Sequence, residues 1–238
     1  MSKKRFTSKT YLKVLIVVGL LAVVGGGAGT FASFNATTTN SGNTFATGTL
    51  VLQNHVAAGT CLSTGAGTNT DTNANTGCDA AFNVNVQKPG DIATGQVTLQ
   101  NKGNLAATVL TLTKSSCGDS DASGTTYHGS GSVCGALNFY VQEWSDNFVT
   151  PSKCWYGGGT ATTCDPTFAT SPATLAGFGA SPVDISAGPH ATAFTANGGT
   201  ADTRWFTIGV ELPNTNTAAD NTLQGRQALL SLAWEESQ

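Results

Sequence analysis

The sequence predicts an all-β protein, a jelly-roll-like antiparallel sandwich with long loops. Three observations carry that reading. Short apolar-alternating segments recur at roughly even spacing, separated by Gly, Pro and Asn turn signals. Thr, Asn, Ser and Gly fill the polar positions, and these favour strands and turns over helices; only 11% of the 238 residues are charged. Beyond residue 32, no window sustains the 3.6-residue apolar period of an amphipathic helix.

The first segment is of another kind. Lys3, Lys4, Arg5, Lys9 and Lys13 stand before any acid, and Val14 to Val24 then run 11 residues without a polar side chain before dissolving into glycine. A basic start, a short apolar core and small residues near a cleavage point describe a secretory signal. The run is short for a membrane span of about 20 residues; a retained N-terminal anchor is the alternative. Thr30-Phe31-Ala32 places small residues at −3 and −1, so cleavage after Ala32 leaves Ser33 as the new N-terminus, with Ala28 as a second candidate. Residues 33–43 become a polar tether and 44–238 the domain. The leader removes five of the 11 cations, leaving 6 Lys+Arg against 14 Asp+Glu and a formal charge of −8. So acidic a chain has no electrostatic footprint for nucleic acid.

The remaining elements follow in order. Thr44–Asn54 alternates around Phe45, Leu50 and Leu52 and predicts a first strand. Ala80–Val86 places Phe82, Val84 and Val86 on one face. Lys88-Pro89-Gly90-Asp91 is a turn. Ile92–Gln100 and Leu105–Lys114 are strands, and Asn101–Asn104 between them predicts a hairpin connection. Leu137–Trp144 is another strand. Residues 145–189 are loop-rich, with Pro151, Pro166, Pro172, Pro182 and Pro189, and Val183–Ile185 is at most a short strand. His190–Thr195, Arg204–Leu212 and Arg226–Glu235 complete the set. There is no internal repeat and no linker.

All six cysteines follow the leader. An even number in an exported chain reads as disulfides. Sequential pairing is expected, because each pair then brackets one polar, Gly-rich stretch: Cys61 with Cys78, Cys117 with Cys134, Cys154 with Cys164. Zinc would need closely spaced cysteine pairs, and none exists.

Three blocks resemble one family. The first is GTFASFNATTTNSGNTFATGTLVL, after the leader. The second is VQKPGDIATGQVTLQNKGNLAATVLTLT. The third is VELPNTNTAADNTLQGRQALLSLAWEESQ, with Leu223 where an aromatic is usual. Together they resemble the TasA/camelysin-like proteins, exported through SipW-type signal peptidases. The likeness covers both ends and one central block; the cysteine-rich stretch 115–200 lies outside it as a loop-rich elaboration. It implies a jelly-roll subunit of extracellular matrix or cell-surface fibres, assembled head to tail by N-terminal donor strands. Its partners are then other copies of itself, a signal peptidase during export and an accessory or anchor protein. Phe34, Asn35, Thr37 and Phe45 lie in the segment that would be donated, with the two rings as anchors; alternatively both rings fill their own domain's core.

Chemistry finds little support in the residues. There is no HExxH, and His55, His128 and His190 are scattered, with no helical pair to clamp zinc. Gly129-Ser130-Gly131-Ser132 reads as a loop, not a nucleophile elbow. No catalytic set, metal site or cofactor is expected, and the chain reads as a non-enzyme. Asp119-Ser-Asp121-Ala-Ser123-Gly124 resembles the opening of a calcium loop, but Ser130 stands where the closing glutamate would be; a solvated acidic turn is the plainer reading. Asn35-Ala-Thr37 is a glycosylation sequon. Glu235-Glu236 is a carboxylate pair without an evident cleft. Tyr140, Trp144, Trp155 and Tyr156 could form an aromatic sugar-binding patch. A monomeric secreted carbohydrate-binding module is therefore the second reading, and a secreted hydrolase the third.

Overall fold

The computed structural model describes residues 48–65, 75, 77–83, 88–179, 181–186, 194–199 and 201–238. Their strands are β1 (Leu52–Val56), β2 (Gly59–Leu62), β3 (Ile92–Asn101), β4 (Val109–Asp121), β5 (Asn138–Trp144), β6 (Pro151–Tyr156), β7 (Val183–Asp184), β8 (Thr203–Glu211) and β9 (Arg226–Ser237). Two single helical turns, α1 (Val133–Ala136) and α2 (Ala218–Asn221), are the helices of the described residues. The strands form two antiparallel sheets. One has six strands, ordered β2-β1-β3-β8-β5-β6, and the other three, ordered β7-β4-β9.

Alternation decides which faces meet. Along β3, Ala93, Val97 and Leu99 are buried while Ile92, Thr94 and Gln96 face out. Register carries the same face across the sheet, placing Val97 beside Phe206, and Val141 beside Ile208. Leu110 and Leu112 of β4 join them in one core with Phe139, Leu175, Phe178 and Ile185. Most of these, Phe139, Phe206, Leu99 and Leu110 among them, are at most 1% exposed, and each such side chain contributes about 1.5–3 kcal/mol by leaving water. β5 and β8 are interior strands, and they read as nearly continuous buried runs because loops cover their outer face too.

One ion pair lies inside this core. Arg204 Nε and Nη2 approach Glu143 Oε1 at 2.8 and 2.7 Å, and Trp155 Nε1 donates to Glu143 Oε2 at 2.7 Å. Glu143 is wholly buried and Arg204 nearly so. Burying two charges is tolerable because each is paired and hydrogen-bonded.

The turn at 88–91 forms as its residues dictate. Gly90 takes φ +90°, the position where a turn following Pro89 needs glycine. The Lys88 and Asp91 backbones close it at 3.0 Å, and the Asp91 carboxylate accepts the Lys88 N–H at 3.0 Å.

Several expectations need correction. The described part of the predicted 44–54 strand becomes strand only at Leu52, and the described part of the predicted 80–86 strand, Ala80–Asn83, is not strand. Asn101–Asn104 is no hairpin: β3 and β4 belong to different sheets, so this stretch crosses between them. Asn101 organises the crossing from full burial. Its Nδ2 donates to Leu105 O at 2.7 Å and its Oδ1 accepts the Gly103 N–H at 2.8 Å. Gly103 itself lies so close to Thr49 O that a Cβ would collide, at 2.1 Å. Residues 115–200 are more than elaboration, since they supply the end of β4 together with β5, β6 and β7. The disulfides join Cys61–Cys78, Cys117–Cys134 and Cys154–Cys164, the sequential pairing.

Candidate functional site

Among the described residues, β9 is the longest edge strand. Its sequence, RQALLSLAWEES, is uncharged from Gln227 to Trp234, and its burial alternates residue by residue from Arg226 to Glu236. Ala228, Leu230, Leu232 and Trp234 turn inward and pack on the core, with Trp234 4.9 Å from Phe206 between ring centroids. Gln227, Leu229, Ser231, Ala233 and Glu235 face out, and Leu229 is 73% exposed. One side of β9 pairs with β4 along nearly its whole length, Arg226↔Asp121 through Ser237↔Val109. Among the described residues, no strand pairs with its other side. The inward side chains are only half-buried.

The other sheet's edges are short and guarded. β2 has four residues, and its Cys61 is tied to Cys78. Asn75 Nδ2 donates to Leu62 O at 2.9 Å across the end of that strand. β6 has six residues, and the Cys154 N–H is taken by Ala161 O at 3.0 Å, within the loop that Cys154–Cys164 closes. Gln142 fastens the same loop from beneath. It donates to Thr162 O at 3.0 Å and accepts the Cys164 N–H at 2.6 Å.

Glu236 sits near the end of β9 on the inward side. Both carboxylate oxygens are buried without a hydrogen-bond partner, and burial pushes the group up to about 7. Glu235, next to it, points outward, so the pair shares no cleft.

Asp119–Asp121 of the acidic stretch form the far end of β4, and Ser123 and Gly124 lie in the turn beyond it. Asp119 accepts Ser132 Oγ at 2.5 Å and the Cys134 N–H at 3.0 Å, and Ser132 in turn caps α1. Asp121 pairs with Arg226 at the start of β9. Both carboxylates thus anchor the Cys117–Cys134 region to the small sheet. His55 contacts Thr60 Oγ1 at 2.8 Å, and His128 lies 2.9 Å from Gly225 O, in separate parts of the fold.

The four aromatics do not converge. Tyr140 packs under the Cys154–Cys164 loop against Phe168, on the outer face of the large sheet. Trp155 and Tyr156 join the inner core, with Tyr156 5.0 Å from Phe178. Trp144 is outward and half-buried, and its Nε1 donates to Thr207 Oγ1 at 2.8 Å. Ala32, Ser33, Phe34, Asn35, Thr37, Phe45 and His190 lie outside the described residues.

No family model matches the chain, and no curated protein matches it. The three blocks of resemblance therefore stand on their own residues.

Proposed function

We propose that the protein is a secreted structural subunit of matrix or cell-surface fibres, of the TasA/camelysin-like kind. In this reading residues 1–32 are a signal cut after Ala32, and the domain is a jelly roll. The freed segment from Ser33, anchored by Phe34 and Phe45, adds as a strand to the next copy. The observation that carries the reading is the open edge of β9. Strand addition needs an unpaired edge whose backbone groups supply affinity, and pockets beside it that fix register. β9 offers twelve residues of edge beside half-buried Leu230, Leu232 and Trp234. A long apolar edge is a hazard that folded proteins normally blunt with charge, proline or cover; the middle of β9 carries no charge or proline, and among the described residues no strand covers its open side. Three disulfides accord with an oxidising, extracellular compartment. Insertion of one copy's end into another's edge is a heterologous contact, so it grows an open filament.

Electron microscopy at rising concentration tests this. Residues 33–238 should give fibres with an axial repeat near one domain, while residues 38–238 should remain monomeric. A persistent monomer from 33–238, or equal fibre formation by 38–238, would contradict the proposal.

A further inference from the structure

The C-terminal end of β9 carries a buried group that no described residue answers. Glu236 turns inward beside Trp234, whose ring centroid lies 4.9 Å from that of Phe206 on β8. Its cross-strand partner is Leu110 of β4, itself buried. Both carboxylate oxygens are buried, and among the described residues neither has a hydrogen-bond partner. An unpaired buried carboxyl is far costlier charged than neutral, so the site favours the protonated acid. Burial accordingly pushes the group up to about 7.

The charged groups on the surrounding elements are committed elsewhere or face away. On β4, Lys114 donates to Leu175 O at 2.8 Å, while Asp119 and Asp121 lie at the strand's other end. On β8, Arg204 is held by Glu143 of β5 at 2.7 Å, and Glu211, at the far end, accepts from Asn138 Nδ2 at 2.8 Å. Asp202, just before β8, accepts from Gln100 Nε2 at 3.0 Å and from the Gly198 N–H at 2.8 Å. On β7, Asp184 accepts from Ser186 Oγ at 2.6 Å, which holds its carboxyl low. Lys102, in the crossing from β3 to β4, is exposed. On β9 itself, Glu235 faces out and Arg226 lies at the opposite end, paired with Asp121.

Once charged, Glu236 is relieved by reaching water, and the smallest motion that takes it there is release of the strand end. Strand ends open at lower cost than strand middles. Here the end pairs with Val109, Leu110 and Thr111 of β4. Two further bonds fasten it: Ser237 O accepts the Thr108 N–H at 2.9 Å, and Gln238 Nε2 donates to Ala106 O at 3.0 Å. We propose that Glu236 is a proton-operated latch: with its proton on, residues 235–238 stay zipped to β4, and on losing it they are released, baring the backbone of Val109–Thr111. Below pH 4.5 the group is protonated in both forms, and opening does not depend on pH. From 4.5 to about 7 only the closed form keeps the proton, so each pH unit favours opening tenfold, about 300-fold across the window. Above that both forms are ionised and the effect is constant. The latch works whether or not β9 accepts a strand.

Amide hydrogen exchange of the natively produced protein is followed by NMR from about pH 4.5 to 8.5, each rate being divided by its unstructured-chain value at that pH. Normalised exchange at Thr108 and at residues 235–237 should rise about tenfold or more between pH 5 and 7.5, while Leu229–Ser231 in the middle of β9 stays level. Glu236→Gln should remove the rise. Glu236→Leu should remove it too, and keeps the test valid if the amide, still polar and unpaired, prevents folding. A flat profile in the unaltered protein, a rise that survives in either variant, or equal loosening along all of β9 would overturn the proposal.

Discussion

The two sheets treat their edges in opposite ways. The six-stranded sheet ends in β2 and β6, both short and both tied by a disulfide-closed loop. The three-stranded sheet ends in β7, two residues long, and in β9, twelve residues long and uncharged through its middle. The remaining disulfide, Cys117–Cys134, ties α1 to β4, and α1 also packs against β9. Among the described residues the chain therefore ties both edges of the large sheet, ends the small sheet on one side in the two-residue β7, and leaves β9 as its one long edge.

The contrast can be broken most severely from the core. Arg204→Met leaves Glu143 charged and buried without its partner, and should destabilise by about 3–5 kcal/mol. Urea unfolding checks it, and paired replacement of Glu143 and Arg204 by apolar residues should recover most of the loss. Opening the guarded edge comes next. Cys154→Ala with Cys164→Ala should cost about 2–4 kcal/mol, and hydrogen exchange should then rise in β6 while β9 is unchanged. Equal loosening of both edges would show that the disulfide does not discriminate between them.

Titration gives a smaller effect. Burial raises Glu236 from 4.5 to about 7. Between those values the folded protein binds more protons than the unfolded chain, so stability falls as pH rises through that window and levels off above it. Glu236→Gln should flatten the slope, and thermal melts from pH 4.5 to 8 read it directly. Asp165 has the opposite sign. Hydrogen bonds from the Thr167 side chain and backbone and from the Thr170 backbone hold it down to about 2. Its contribution is fully present above pH 3.8 and is lost as pH falls toward 2. The smallest effect on folding is expected from Leu229→Lys, whose side chain already faces water; it should shift stability by no more than about 0.5 kcal/mol. It should nevertheless abolish fibres, because an edge lysine discourages strand addition.

How much of this was legible depended on whether a strand carries its own signal. β3, β8 and β9 alternate apolar and polar residues and were readable, as were the turn at 88–91 and the disulfides. The second half of β4, SSCGDSD, shows no apolar period; it is strand because β9 lies beside it and supplies the apolar face. β6 opens on Pro151 and carries adjacent Trp155 and Tyr156, which bulges at its pairing with β5 turn to the same side. Sheet membership was also invisible, so Asn101–Asn104 read as a hairpin although its ends enter different sheets. The candidate edge was legible as a strand but not as an edge, because position within a sheet is set by long-range pairing.

One measurement bears most directly on the claim that β9 is an acceptor. A protein beginning at residue 48 is mixed with a synthetic peptide of residues 33–47, and amide hydrogen exchange is followed strand by strand. The peptide should protect β9 across 226–237 and leave β2 and β6 unchanged, with protection lost in Leu229→Lys. Protection confined to β2 or β6, or none at any edge, would contradict it.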